Sequence, residues 1–127
     1  RKYPDTEFYI VFAPPSIAKW CGYYRKGQIE SYIYGMQDAS QILLQESNVE
    51  LYNFQNDFEL VCNLNNYRDT IHYTTDVTSY MLNSIKDGEY EWNVGNLESE
   101  VQELMNFYGN FDYRKWKLEE EAKIQEE

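Results

Sequence analysis

Phe8-Tyr9-Ile10-Val11-Phe12-Ala13-Pro14-Pro15-Ser16 is the stretch whose reading decides the fold. The apolar block from Phe8 to Ala13 is rich in aromatic and β-branched residues and lies between Asp5-Thr6 and two prolines. That is the pattern of a strand buried on both faces, the kind parallel sheets use. Neither proline can donate to a ladder, so the strand stops there. Ser16 suits a helix N-cap, Ile17, Trp20 and Tyr24 follow at helical spacing, and Gly27 breaks the helix. A longer helix is predicted from Gln28 to about Gln45. Its apolar stripe is Ile29, Ile33, Met36, Ser40 and Leu43, flanked by Tyr32, Ala39, Ile42 and Leu44. Ser47-Asn48 ends it, and Val49 to Phe54 reads as a second buried strand. Strand, helical crossover and strand in succession predict a βαβ unit with parallel strands and a right-handed connection.

Beyond Phe54 the residues Gln55-Asn56-Asp57 read as a turn and Phe58 to Cys62 as one helical turn. The polar segment Asn63 to Thr74 then falls past the carboxyl end of the second strand, the edge at which open parallel sheets place their ligands. Thr75 or Asp76 caps a helix whose inward face is Val77, Tyr80, Met81 and Ile85, and Gly88 closes it. Tyr90 to Gly95 reads as a connector containing Trp92. Asn96 caps a helix with Leu97, Val101, Leu104, Met105 and Tyr108 on one side, and Gly109-Asn110 ends it. Asp112 caps a last helix through Trp116 and Leu118, with a polar tail from about Glu119 expected to fray. Residues 1–88 thus form the α/β part, and 89–127 an appended helical segment packing on the same domain. Two strands do not make a sheet that stands alone. The chain begins Arg1-Lys2-Tyr3-Pro4, which reads as an internal start. Upstream sequence of the same protein, or a second copy, is therefore expected to complete the sheet.

With 127 residues the chain is long enough for one modest core. Its 43% apolar and 26% charged residues are those of a globular chain. A net charge of −11, with no basic run longer than two residues, argues against nucleic-acid and anionic-membrane partners. The longest apolar run, Phe8 to Pro15, is too short to span a bilayer. Cys21 and Cys62 are too few for a disulfide framework or a structural zinc site and read as buried thiols. The 13 tyrosines point to half-wet surfaces such as clefts and interfaces.

The chemistry gathers in Asn63-Leu64-Asn65-Asn66-Tyr67-Arg68-Asp69-Thr70-Ile71-His72-Tyr73-Thr74-Thr75, which holds the one histidine of the chain, three positions after Asp69. A neutral imidazole beside a carboxylate is the base and orienter of nucleophilic catalysis. A surface histidine with an acidic neighbour uses the same two residues. The carboxylates of Asp57, Glu59, Asp69 and Asp76 read as a solvated loop rather than a metal site, and nothing in the sequence asks for a cofactor.

The order of these pieces, with Ala13-Pro14-Pro15-Ser16 ending the first strand and Asp-x-x-His following the second, resembles the C-terminal half of the SGNH (GDSL-like) hydrolases and acyltransferases. The resemblance runs from about Phe8 to Ile85. Asn66 to Tyr73 looks especially like bacterial cell-envelope members. It implies a flavodoxin-like three-layer α/β/α sandwich, with few parallel strands in this chain and extra helices at its end. It implies Asp69 as orienter and His72 as base in acyl transfer on O-acyl groups of envelope glycans. Ser16, Tyr67, Arg68 and Tyr73 are candidate substrate-side residues. The family's Gly-Asp-Ser nucleophile motif, oxyanion-hole glycine and Gly-x-Asn-Asp block do not occur here. Nucleophile and oxyanion donors are then expected from outside these residues, and the chain alone is expected to be inert. Ser16-Ile17-Ala18-Lys19 matches the Ser-x-x-Lys of penicillin-recognising enzymes but lacks the companion motifs, so Ser16 is read as a cap. The other reading of the whole is a non-catalytic α/β module for protein interaction or homodimerisation.

Overall fold

The computed structural model describes residues 2–126, and its class is mixed α/β. Strand β1 (Phe8–Phe12) leads into helices α1 (Ile17–Arg25) and α2 (Ile29–Leu43), and then strand β2 (Val49–Asn53). A 3-10 turn (Phe54–Asn56) and the short helix α3 (Phe58–Cys62) precede a second 3-10 turn (Leu64–Asn66). Helix α4 (Thr75–Lys86), strand β3 (Glu91–Trp92), α5 (Leu97–Asn110) and α6 (Tyr113–Glu126) complete the chain.

The first two strands pair in parallel, from Phe8 opposite Val49 to Phe12 opposite Asn53, as the helical crossover between them requires. Glycine at φ +66° (Gly27) makes the break between α1 and α2 where a side chain would be strained. The α2 stripe is buried at Ile29, Ile33, Met36 and Ser40 and packs on both β2 and α5. From α5 come Leu97, Val101, Leu104 and Tyr108, which join the same core as the residues of the βαβ unit.

Two expectations about the sheet are corrected. Tyr90 to Gly95 is not a plain connector: Glu91–Trp92 pairs antiparallel with Tyr52 and Leu51, so the sheet has three strands in the order β1-β2-β3. A two-residue strand is too short to show period-2 alternation. Trp92 fixes it instead, being buried, edge-on to Phe12 at 6.1 Å, and donating its indole N–H to Asn56 Oδ1 at 2.9 Å. Nor is β1 buried on both faces. It lies at the sheet edge, with Phe8, Tyr9 and Val11 exposed at 39%, 56% and 36%. Apolar composition records what burial a strand would favour; here nothing in the described chain covers that edge.

Capping also differs in detail. Ser16, Thr74 and Asn96 stand at the N-cap positions of α1, α4 and α5, but none makes a side-chain cap bond. Asn96 spends its amide on Glu91 O and on a reciprocal pair of bonds with Asn93, bracing the turn from β3 into α5. Asp112 does cap α6, accepting from the Lys115 amide at 3.0 Å, and the helix runs through the expected tail to Glu126. Cys21 and Cys62 are free thiols, the first buried and the second half-buried. Many of the aromatic rings serve the interior rather than a wet surface: Trp20 stacks on Tyr108 at 3.8 Å and meets Tyr32 and Tyr23 edge-on at 5.2 and 5.5 Å.

Candidate functional site

The segment between the second 3-10 turn and α4 closes on itself as a small loop. Tyr67 and Tyr73 form an antiparallel bridge, the Arg68 amide donates to His72 O at 2.7 Å, and the Thr74 amide to Asn66 O at 2.9 Å. Inside it, Asp69 Oδ1 accepts from the backbone amides of Ile71 (2.8 Å) and His72 (2.7 Å). This is the Asx turn that a short carboxylate side chain builds two and three residues on. The other oxygen, Oδ2, faces His72 Nδ1 at 2.7 Å. One carboxylate thus folds the loop and fixes the ring. With Nδ1 bound to the carboxylate, a neutral ring carries its proton there and leaves Nε2 as a free acceptor.

Three contacts hold the loop at the carboxyl end of β1. Ser16 gives both its amide (3.0 Å) and its hydroxyl (2.8 Å) to Thr70 O, and Tyr67 donates its hydroxyl to Pro14 O at 3.0 Å. The two prolines thus both stop the strand and supply the rim on which the loop rests. Ser16 is wholly buried, and its hydroxyl is spent on that carbonyl rather than on capping α1 or facing the imidazole. A shallow cavity of about 360 Å³ is lined by Ser16, Ala18, Leu64, Tyr67, Arg68, Asp69 and Thr70. Four of the expected site residues therefore meet at one place, whereas His72 and Tyr73 stand outside that lining. Tyr73 is half-buried in the bridge, and Arg68 is exposed.

The side chains of His72 and Asp69 are 74% and 56% exposed, so the pair is open to any reactant. The backbone amides of His72 and Ile71, and then the imidazole, hold the Asp69 carboxyl down at about 2. A depressed carboxyl stabilises the folded loop above its ordinary range, and that contribution is lost as the pH falls from about 4 through about 2. Acidification should therefore leave the Asp69 carboxylate ionised, and its bonds to the Ile71 and His72 amides intact, down to about pH 4. Below that the two amide resonances should shift together with the Asp69 carboxyl carbon. Movement centred near pH 4 would show that the amides do not hold the carboxylate.

One polar cluster was not legible beforehand. Asn53, Gln55, Asn56 and Asp57, at the carboxyl end of β2, are all buried, although Gln55-Asn56-Asp57 lie at the expected turn. Gln55 Nε2 donates to Ala13 O, Asn56 Nδ2 donates to Glu100 O, and Asp57 accepts from the Leu60 amide and the Tyr80 hydroxyl. Burial and then the bond to Asp57 hold the Tyr80 phenol above its ordinary range. A second cavity of about 360 Å³ lies against this cluster, lined in part by Asp57, Glu59, Asn63, Asp76 and Tyr80. Among the described residues, no three His, Cys, Asp or Glu side chains converge as a metal ion requires. No described helix is long and apolar enough to cross a membrane.

No family model matches this chain, and neither a curated protein nor a solved structure matches it.

Proposed function

We propose that these residues supply the base and its orienting carboxylate to an SGNH-like acyl transfer, His72 being the base and Asp69 the orienter. The observation that carries the reading is the 2.7 Å contact between His72 Nδ1 and Asp69 Oδ2, with the other carboxylate oxygen occupied by two backbone amides. In such a reaction a serine hydroxyl gives its proton to His72 Nε2 as its oxygen bonds to the acyl carbon. Asp69 stabilises the imidazolium, and the proton passes to the sugar oxygen as its bond to the acyl carbon breaks. Water or an acceptor hydroxyl then repeats the sequence and frees the serine. The serine and the oxyanion donors come from sequence outside these residues. Ser16, which lines the loop's cavity, is buried against Thr70.

In this reading Arg68, Tyr67 and Tyr73 border the substrate side, Ser16 is the wall that positions the loop, and the substrate is an O-acylated glycan of the cell envelope. The whole fold is a flavodoxin-like three-layer sandwich whose further strands join the free edge of β1. The exposure of Phe8, Tyr9 and Val11 supports that addition. The same exposure favours the second reading, a non-catalytic module that pairs this edge with another copy of the chain.

One experiment separates them. The isolated chain should not hydrolyse p-nitrophenyl acetate above background, whereas the same residues joined to their natural upstream sequence should do so. A longer protein with no activity that forms a dimer in sedimentation would favour pairing. Turnover by the isolated chain would refute the division of the site.

A further inference from the structure

The chain carries 22 acidic residues against 11 basic ones, yet it brings three cations from distant segments to one cleft. The cleft, about 580 Å³, lies between α1 and the start of α6 and is lined by Cys21, Tyr24, Arg25, Tyr113, Arg114 and Lys117. Its volume falls in the range of small-molecule sites, about 300–1,000 Å³. None of these three cations makes an ion pair among the described residues. With so many carboxylates available, leaving them unpaired around a concavity is not what charge balance alone would produce.

Helix stability does not account for them either. Arg25, in the last turn of α1, is placed where a helix end favours a cation. Arg114 and Lys115, however, sit in the first turn of α6, where a helix end disfavours positive charge and the acidic group is the cap, Asp112. By contrast α5 carries Glu98 and Glu100 in its first turn, as the helix dipole asks.

The wall of the cleft is aromatic and firmly held. Tyr24 stacks on Tyr113 at 4.8 Å with the rings 23° apart, and Tyr113 is buried with its hydroxyl on Tyr108 O at 2.7 Å. Tyr24 itself is exposed and presents an apolar ring beside the charges.

We propose that this cleft binds a phosphate monoester of a sugar or polyol. Two guanidinium groups suit the paired oxygens of a phosphate, and the lysine adds a third charge against a group that carries nearly two. The Tyr24 ring offers a face for the C–H groups of the sugar. A long polyanion or an anionic membrane would meet the surrounding negative surface of a chain with net charge −11, so the ligand is small.

The test is titration of the full chain with glucose 6-phosphate, inorganic phosphate and glucose, each at matched ionic strength, followed by amide chemical shifts. Glucose 6-phosphate should give saturable shifts at Tyr24, Arg25 and Arg114 with a Kd of about 1 mM or tighter, and glucose none. Replacing both Arg25→Gln and Arg114→Gln should weaken it about tenfold or more. Tyr24→Ala should weaken glucose 6-phosphate while leaving inorganic phosphate unchanged. Should the double variant fail to fold, Lys117→Gln, an exposed change, reads the same charge dependence. Absence of saturable shifts at these residues, or shifts that sodium chloride reproduces, overturns the site. An unaltered glucose 6-phosphate affinity in Tyr24→Ala overturns the sugar part.

Discussion

In the proposed acyl transfer, Asp69→Asn, made in a protein that joins these residues to the serine nucleophile the proposal requires, should lower kcat by about 10⁴-fold with little change in KM. The size of the effect follows from the loop's own bonds. Asparagine keeps an amide oxygen that can go on accepting from the Ile71 and His72 amides, so the Asx turn and the position of the ring survive. What changes is the atom opposite His72 Nδ1, where a carboxylate oxygen becomes an N–H donor. The ring must then place its proton on Nε2, and the nitrogen meant to take the serine proton can no longer do so. The consequence is visible without any turnover. In the isolated chain the ¹⁵N shifts of His72 should report Nδ1–H for the natural sequence and Nε2–H for Asp69→Asn. Asp69→Ala should move the amides of Ile71 and His72 as well, because it removes both uses of the carboxylate. A kcat loss below about tenfold, or equal tautomers in the two forms, would leave the aspartate as a loop-forming residue and nothing more.

The dyad was legible because it is local. Three residues of spacing and a short acidic side chain suffice to close an Asx turn, whatever the rest of the fold does. The βαβ unit was legible for a different reason: an apolar block cut by Pro14-Pro15 marks a strand by composition, and the stripe from Ile29 to Ser40 carries its helical period over many residues. Where a feature depends on what comes together from afar, the sequence falls silent. Trp92 makes a strand only because Tyr52 and Leu51 wait beside it, and Arg25 and Arg114 share a cleft only because α6 returns to α1. The exposure of β1 is the same lesson inverted. Phe8, Tyr9 and Val11 state a preference for cover that the described chain does not meet. Gln55 to Asp57 differ in a third way: a polar turn by sequence, they are buried because the partners of Asn56 and Asp57, namely Trp92, Glu100 and Tyr80, lie 23 to 44 positions downstream.

Trp20→Ala should destabilise the fold by about 3–5 kcal/mol, a large share of the about 5–15 kcal/mol that domains of this kind possess. Trp20 has no exposed surface and lies flat on Tyr108 at 3.8 Å. Tyr108 in turn donates to Gln55 O and accepts, through its carbonyl, from Tyr113. Truncating the indole therefore does more than open a cavity. It removes the surface against which one ring ties α1 to α5, to the turn after β2 and to the start of α6. The contrast is Trp20→Phe, which keeps an aromatic ring on Tyr108 and discards an indole N–H that no protein group accepts. Leaving a buried donor unpaired is itself unfavourable, by about 1–3 kcal/mol, so this change should cost about 1 kcal/mol or less. Urea unfolding followed by circular dichroism reads both, with the midpoint falling steeply for alanine, slightly for phenylalanine, and the slope unchanged. The amide of Ser16, which opens α1 and donates to Thr70, then shows whether the Asp69–His72 loop shares that core's stability. If its exchange quickens in Trp20→Ala in step with the core amides, the Asp69–His72 pair is held in place by the interior of the protein. If Trp20→Ala shifts the midpoint no more than a change at exposed Leu118, the aromatic stack is ornamental to the fold.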